Sequence, residues 1–230
     1  MKGIILFSFL LLSTLGIASE VENKQQQTTS PEVIVFDFGG VVGGTDQALV
    51  SQEVSVRLGI PLEEAASLVK QMSEIKKEGI SHPQFWQAYA TKTGRQLPED
   101  WDRFIEEAKC RSIRANPAML SLAKSLRNHG YRVAMFSDTT PERAAFIRNS
   151  GYYEPFDPVV LSYEIHLSKP DPKAFGFLTH QLNVPPERCL FIDNSPANID
   201  EAKKLGFDAI LFNSVDDLKS QLKKRNIPTE

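Results

Sequence analysis

From Val33 to Phe36 four apolar residues run without interruption into Asp37, and Gly39-Gly40 follow at once. A short apolar run rich in β-branched residues and closed by glycines reads as a strand buried on both faces. The pattern then becomes helical. Gly43-Gly44-Thr45-Asp46 reads as a flexible exit into a segment from Gln47 to Leu58. Pro61 opens a second segment, with Leu62, Ala65, Val69 and Met72 on one face, and Gly79 ends it. Ser81 to Thr91 carries Phe85, Trp86 and Tyr89; Pro98 opens another segment with Trp101, Ile105 and Ala108 on one side. No strand is expected between Thr45 and Arg114, and an all-helical insertion of this length can bury a small core of its own.

Beyond Arg114 the pattern changes to alternating helix and strand. Asn116-Pro117 is an N-cap followed by proline at the first helical position, with Met119, Leu122, Ala123 and Leu126 as the apolar face and Gly130 as the stop. Tyr131 to Phe136 is a strand ending in Ser137-Asp138-Thr139. Thr140-Pro141 starts a helix that ends at Gly151, and Pro158 to Leu161 is a short strand. Asp171-Pro172 starts the next helix, Cys189 to Ile192 is a strand ending in Asp193, and Ser195-Pro196 starts another helix. Ala209 to Phe212 is the last strand and Ser214 opens the last helix. Alternation of this kind means an α/β fold, a parallel sheet with helices on both faces. Right-handed crossovers put every strand's carboxyl end on one edge, so Asp37, Ser137 and Asp193 are expected to meet there.

Composition adds limits. The chain has 230 residues, 41% hydrophobic and 24% charged, with a net charge of -3. That supports one domain with an insertion and gives no electrostatic case for nucleic acid or an anionic membrane. The N-terminus differs from the rest. Met1-Lys2 is a short positive start, Gly3 to Ile17 is uncharged, and Gly16 and Ala18 sit at the small-residue positions of a cleavage site. Residues 1–18 therefore read as a secretory signal peptide, which makes the protein exported, periplasmic or secreted; an uncleaved anchor is the lesser option because the apolar run is short for a span. Residues 19–31 read as a disordered polar linker. Cys110 and Cys189 read as two separate buried thiols rather than one bridge.

Two acids and a serine at one sheet edge suggest an oxygen-ligand cation site. Mg²⁺ takes one or two carboxylates, waters and a substrate phosphate. Lys169, on the Pro-stiffened loop Ser168-Lys169-Pro170-Asp171-Pro172, offers the cation that a phosphate needs. An aspartate can attack phosphorus and form an aspartyl-phosphate, with metal and lysine neutralising the spreading charge. Taken alone, the opening decapeptide leaves open whether Asp37 merely caps a turn.

These residues resemble the motifs of the haloacid dehalogenase-like (HAD) hydrolase superfamily, in order along the chain. Phe36-Asp37-Phe38-Gly39-Gly40-Val41 resembles its first motif, Met135-Phe136-Ser137 its second, Lys169 in Lys-Pro-Asp-Pro its third, and Phe191-Ile192-Asp193-Asn194 with Asn198 its fourth. The resemblance implies a Rossmann-like core over residues 32–45 and 115–230, with a helical C1 cap over residues 46–114. It implies Asp37, Ser137 and Lys169 as catalytic residues. Substrate would be bound by Ser137, Asp138, Lys169 and Asn198. Mg²⁺ would be held by Asp37, Gly39 through its carbonyl, Asp193 and Asn194.

Three positions depart from the pattern. Gly39 stands where phosphatases of the superfamily usually carry an Asp that protonates the leaving alcohol. Proton transfer of that kind is worth ~10²–10⁴-fold, so slow turnover, or good leaving groups only, is expected. A water or a cap residue such as His82 is the substitute. Asn194 replaces the second acid of the fourth motif and lowers the negative charge at the metal. Asp138 stands where Asn often follows the serine and adds an acid near the phosphate. The leading expectation is an exported Mg²⁺-dependent phosphatase of small phosphorylated molecules. One alternative is a weak or inactive domain that acts as a binding or surface protein. The other is a metal-independent dehalogenase-type hydrolase, against which Asp193 argues.

Overall fold

The computed structural model describes residues 30–75 and 79–230. The proposed signal peptide, residues 19–29 of the linker, and Lys76-Lys77 lie outside the described residues. Among the described residues no helix is long and apolar enough to cross a membrane.

Strand β1 (Val33–Phe36) is the centre of a five-stranded parallel sheet. β4 (Arg132–Ser137) and β6 (Cys189–Asp193) flank it, β5 (Val159–Leu161) and β7 (Asp208–Leu211) form the edges, and the order is β5-β4-β1-β6-β7. Helices α5 (Pro117–Asn128), α6 (Pro141–Asn149), α8 (Pro172–Leu182), α9 (Pro196–Lys204) and α10 (Val215–Lys224) connect or follow the strands, and the single-turn α7 (Ser162–Ile165) follows β5. All four β1 residues are fully buried, and their side chains alternate between two cores. Ile34 and Phe36 join Met119, Leu126 and Met135 on one face; Val33 and Val35 join Phe136, Phe175 and Phe191 on the other. Five helices of this fold begin with proline in their first turn (α5, α6, α8 and α9 in the core, α3 in the insertion), where its missing N–H costs no hydrogen bond.

The insertion is made of α1 (Gln47–Leu58), α2 (Leu62–Glu74), α3 (His82–Thr93) and α4 (Trp101–Arg111). Its own core gathers Val50, Val54, Met72, Trp86, Trp101 and Ile105. Trp86 is fully buried, stands edge-on to Trp101 at 4.9 Å, and gives its indole N–H to Met72 Sδ at 3.3 Å.

Two expectations need correction. Gly43-Gly44-Thr45 is not a loose exit but strand β2 (Gly43–Thr45), paired antiparallel with β3 (Ile113–Ala115). The insertion is thus closed at its base by a short ribbon. Three-residue strands whose partners lie so far apart in sequence leave no local period to read. Gly43 is required there, since a Cβ would meet the Arg114 carbonyl oxygen at 2.6 Å. Cys110 lies in the last turn of α4 and is only half-buried, because the buried stripe of that helix runs Trp101, Ile105, Ala108 and misses it. Cys189 is buried, and both thiols are free.

Replacing Trp86 with Ala should lower the unfolding free energy by about 3–5 kcal/mol, read by urea denaturation. Val56→Ala, at a side chain 84% exposed on the same insertion, should change it by less than about 0.5 kcal/mol. Equal losses would mean that the insertion has no core of its own.

Candidate active site

Strand register brings the site together. Phe36 is level with Ile192 and with Met135, so Asp37 stands beside Asp193, one residue short of Ser137. The Asp37 N–H donates to the Ile192 carbonyl at 2.9 Å, which fixes the point where the chain leaves the sheet. Asp37, Ser137, Lys169 and Asp193 are all buried, at 6%, 2%, 8% and 1% exposure.

Lys169 joins them. Its Nζ donates to Asp37 Oδ1 at 2.7 Å, to Asp193 Oδ2 at 2.7 Å and to the Phe136 carbonyl at 2.9 Å. An ammonium has three protons, and these three acceptors use them all. The rings of Phe136 and Phe191 lie 5.3 and 5.6 Å from the same nitrogen and close it off. Burial alone would strip the proton from Lys169, but the Asp37 and Asp193 carboxylates outweigh it and the pKa is raised. Asp37 responds mainly to burial, which pushes its carboxyl up to about 6; Lys169 opposes that rise and Asp193 adds to it.

Asp193 is held from behind. Its Oδ1 accepts from the Ser195 N–H at 2.8 Å and its Oδ2 from Asn198 Nδ2 at 3.0 Å. Asn198, expected at the substrate, is a buried residue of α9 whose side-chain amide donates to Asp193. Asp138 follows Ser137 and accepts the Lys169 backbone N–H at 3.2 Å, tying the serine loop to the lysine loop. Asn194 is exposed, and its side-chain amide lies over Gly40, where a Cβ would collide with it; Gly40 also has φ +82. Gly39 is exposed, and a Cβ there would meet only Asp37 Oδ2, at an ordinary 3.7 Å.

Oxygen donors for a cation that the structure brings together are the carboxylates of Asp37 and Asp193. Among the described residues no group of three or more His, Cys, Asp or Glu forms a metal cluster. The two carboxylates carry one excess negative charge over Lys169, and Asp193 Oδ1 accepts a single N–H. A small oxygen-preferring cation that keeps several waters fits such a set; a cation needing an all-protein cage does not.

Other groups stand further off. His82 opens α3, and its Nδ1 lies 3.1 Å from Glu106 and 3.1 Å from Lys109 on α4, so its ring is engaged within the insertion. Hydrogen bonding from His82, then from Lys109, holds the Glu106 carboxyl down at about 2 against its burial. His166 is exposed. Reading the sequence missed two kinds of partner. The Ser195 N–H and the Phe136 carbonyl are backbone groups and leave no residue signature. Arg143, in the first turn of α6, gives Nη1 to Thr45 Oγ1 of β2 at 3.2 Å. A cation in a helix's first turn opposes the helix dipole, and that misfit was the signal available for it.

Residues 31–206 match the family described as haloacid dehalogenase-like hydrolase. The chain is 29% identical over 193 residues to a D-ribitol-5-phosphate phosphatase of Bacteroides thetaiotaomicron, covering 76% of this chain and 88% of that protein. It is 24% identical over 201 residues to a phosphorylated carbohydrates phosphatase of Thermotoga maritima, covering 83% and 90%. Its fold is similar, with a TM-score of 0.57 at 20% identity, to a HAD family enzyme of B. thetaiotaomicron solved with magnesium and inorganic phosphate, covering 82% of this chain and 99% of that one.

A carboxyl whose pKa is higher folded than unfolded binds its proton more tightly in the folded state. The stability it contributes is complete below the usual carboxylate value of 3.8 and is lost as pH rises through about 6. In metal-free buffer, wild type should therefore lose on the order of 2–3 kcal/mol relative to Asp37→Asn between about pH 4 and pH 7, measured by urea denaturation at each pH. A flat difference would show that Lys169 fully offsets the burial of Asp37.

Proposed function

This chain belongs to the haloacid dehalogenase-like hydrolases, and within that family we propose that it is an exported, Mg²⁺-dependent phosphatase of small phosphorylated carbohydrates or polyols. The observation that carries the reading is Lys169 holding Asp37 against Asp193 at 2.7 Å on each side, in a pocket of the sheet edge that water barely reaches. The substrate class is supported by the two phosphatases to which the chain is similar over most of its length.

Asp37 is the nucleophile in this reading. Lys169 occupies its Oδ1, so Oδ2, on the Gly39 side, is the oxygen that attacks phosphorus. The new bond joins Oδ2 to phosphorus while the ester P–O bond breaks and the leaving oxygen takes a proton from water. Ser137 offers a hydroxyl to the phosphoryl oxygens from the end of β4. Water then hydrolyses the acyl-phosphate, releasing phosphate and restoring the Asp37 carboxylate. Mg²⁺ would be held by Asp37, Asp193 and the Gly39 carbonyl and would neutralise phosphoryl charge. Asn194 adds at most a neutral oxygen to that set. Asn198 and the Ser195 N–H keep Asp193 in position.

Gly39 favours a second, narrower reading: slow turnover, confined to esters whose leaving group needs no proton. A Cβ at this position meets only an ordinary contact, so the backbone leaves room for a residue other than glycine to start there. The proposal of export rests on residues 1–18 of the sequence.

Purified protein should release phosphate from sugar and polyol phosphates with Mg²⁺, and EDTA or Asp37→Asn should lower the rate by at least about 10³-fold. Activity indifferent to both would sink the phosphatase reading. Gly39→Asp should raise turnover on poor leaving groups by about 10–100-fold and leave p-nitrophenyl phosphate nearly unchanged; no gain in an active enzyme would place the proton donor elsewhere. N-terminal sequencing of protein recovered outside the cytoplasm should begin at Ser19, and an intact Met1 would refute cleavage.

A further inference from the structure

Among the described residues Arg143 is a half-buried arginine without a carboxylate partner in an ion pair. Among the described residues the other half-buried arginine, Arg225, is paired with Asp208 at 2.6 Å. Among the described residues Arg143 takes part in no ion pair; its side chain gives one N–H to the Thr45 hydroxyl. A partly desolvated guanidinium with spare donors is costly to leave in place. Its position in the first turn of α6 adds to that cost, since the positive end of the helix dipole lies there.

Its place is informative. Arg143 lies six residues beyond Ser137, on the helix that leaves the carboxyl end of β4. Thr45 lies two residues along β2 from Gly43, and Gly43 bridges Gly39 in the nucleophile loop. Arg143 is thus bonded to the strand that continues the nucleophile loop, from the helix that follows the Ser137 strand. Helix α4 packs against α6 and brings Cys110 within the field of Arg143. The acids nearby are engaged or turned out. Glu106 is bound to His82 and Lys109, Asp138 accepts the Lys169 N–H, and Glu142 is exposed at a helix start that suits its charge.

We infer that Arg143 is a specificity-determining residue: its guanidinium receives a second anionic group, a carboxylate or a further phosphate, carried on the leaving group of the phosphorylated substrate. The inference rests on the reading of the site as a phosphatase and adds, among small phosphorylated carbohydrates and polyols, a preference for those that carry a second anionic group. The planar fork of arginine suits a carboxylate or phosphate in two-point contact.

The test uses a matched pair, 3-phosphoglycerate and glycerol 3-phosphate, which differ by a carboxylate in place of a hydroxymethyl group. Wild type should show kcat/KM higher for 3-phosphoglycerate by on the order of 10–100-fold. Arg143→Gln should collapse that ratio to near one, and Arg143→Lys, which keeps the charge without the fork, should keep part of it. Far-UV circular dichroism and the urea unfolding midpoint, expected to match those of wild type, report that the variants are folded. A bisphosphate, fructose 1,6-bisphosphate against fructose 6-phosphate, separates a phosphate from a carboxylate as the second group. Wild type that prefers the neutral member of both pairs, or a ratio that survives Arg143→Gln, would overturn the inference. If no ester is hydrolysed, the phosphatase reading falls by itself, and calorimetric binding of the same pair decides about Arg143. Discrimination lost on Arg143→Gln keeps the residue's role, and equal binding or none removes it.

Discussion

Everything at the sheet edge depends on one buried cation. Lys169 Nζ spends its three protons on Asp37, Asp193 and the Phe136 carbonyl, walled in by two phenylalanine rings. Two carboxylates side by side in this setting repel each other and lose hydration. The ammonium makes their approach tolerable and fixes which oxygen of each remains open. On Asp37 that is Oδ2, on the exposed Gly39 side; on Asp193 it is Oδ1, steadied by the Ser195 N–H. The catalytic geometry is thus a consequence of satisfying a buried charge. The loop carrying Lys169 is tied down by Asp138 for the same reason.

The glycines around the nucleophile do different work. Gly43 lets β2 press against β3, and Gly40 makes room for the Asn194 amide with a backbone that only glycine adopts readily. Gly39 has neither constraint. Its backbone does not require glycine and the space beside it is open. Neither backbone nor space therefore explains the absence of an acid there. The insertion is anchored by the β2–β3 ribbon and packed by α4 against α6. Arg143 stands where ribbon, insertion and core meet.

The sequence by itself determined the sheet, most helix starts and the four residues that converge on the edge. Continuous apolar runs ending in Asp37, Ser137 and Asp193 carry their own signal, because a strand buried on both faces has to be apolar throughout and parallel strands share one carboxyl edge. The prolines and caps at Asn116-Pro117, Thr140-Pro141 and Asp171-Pro172 carry theirs, since the first turn of a helix has free N–H groups to satisfy. Only the tertiary structure decided the rest. The β2–β3 ribbon, the half-exposure of Cys110, the retreat of Asn198 behind Asp193, the engagement of His82 with Glu106 and the contact of Arg143 with Thr45 are all relations between segments distant in the chain. Local periodicity records which face of an element is buried. It does not record what that face meets, and the chemistry of this site lies in those meetings.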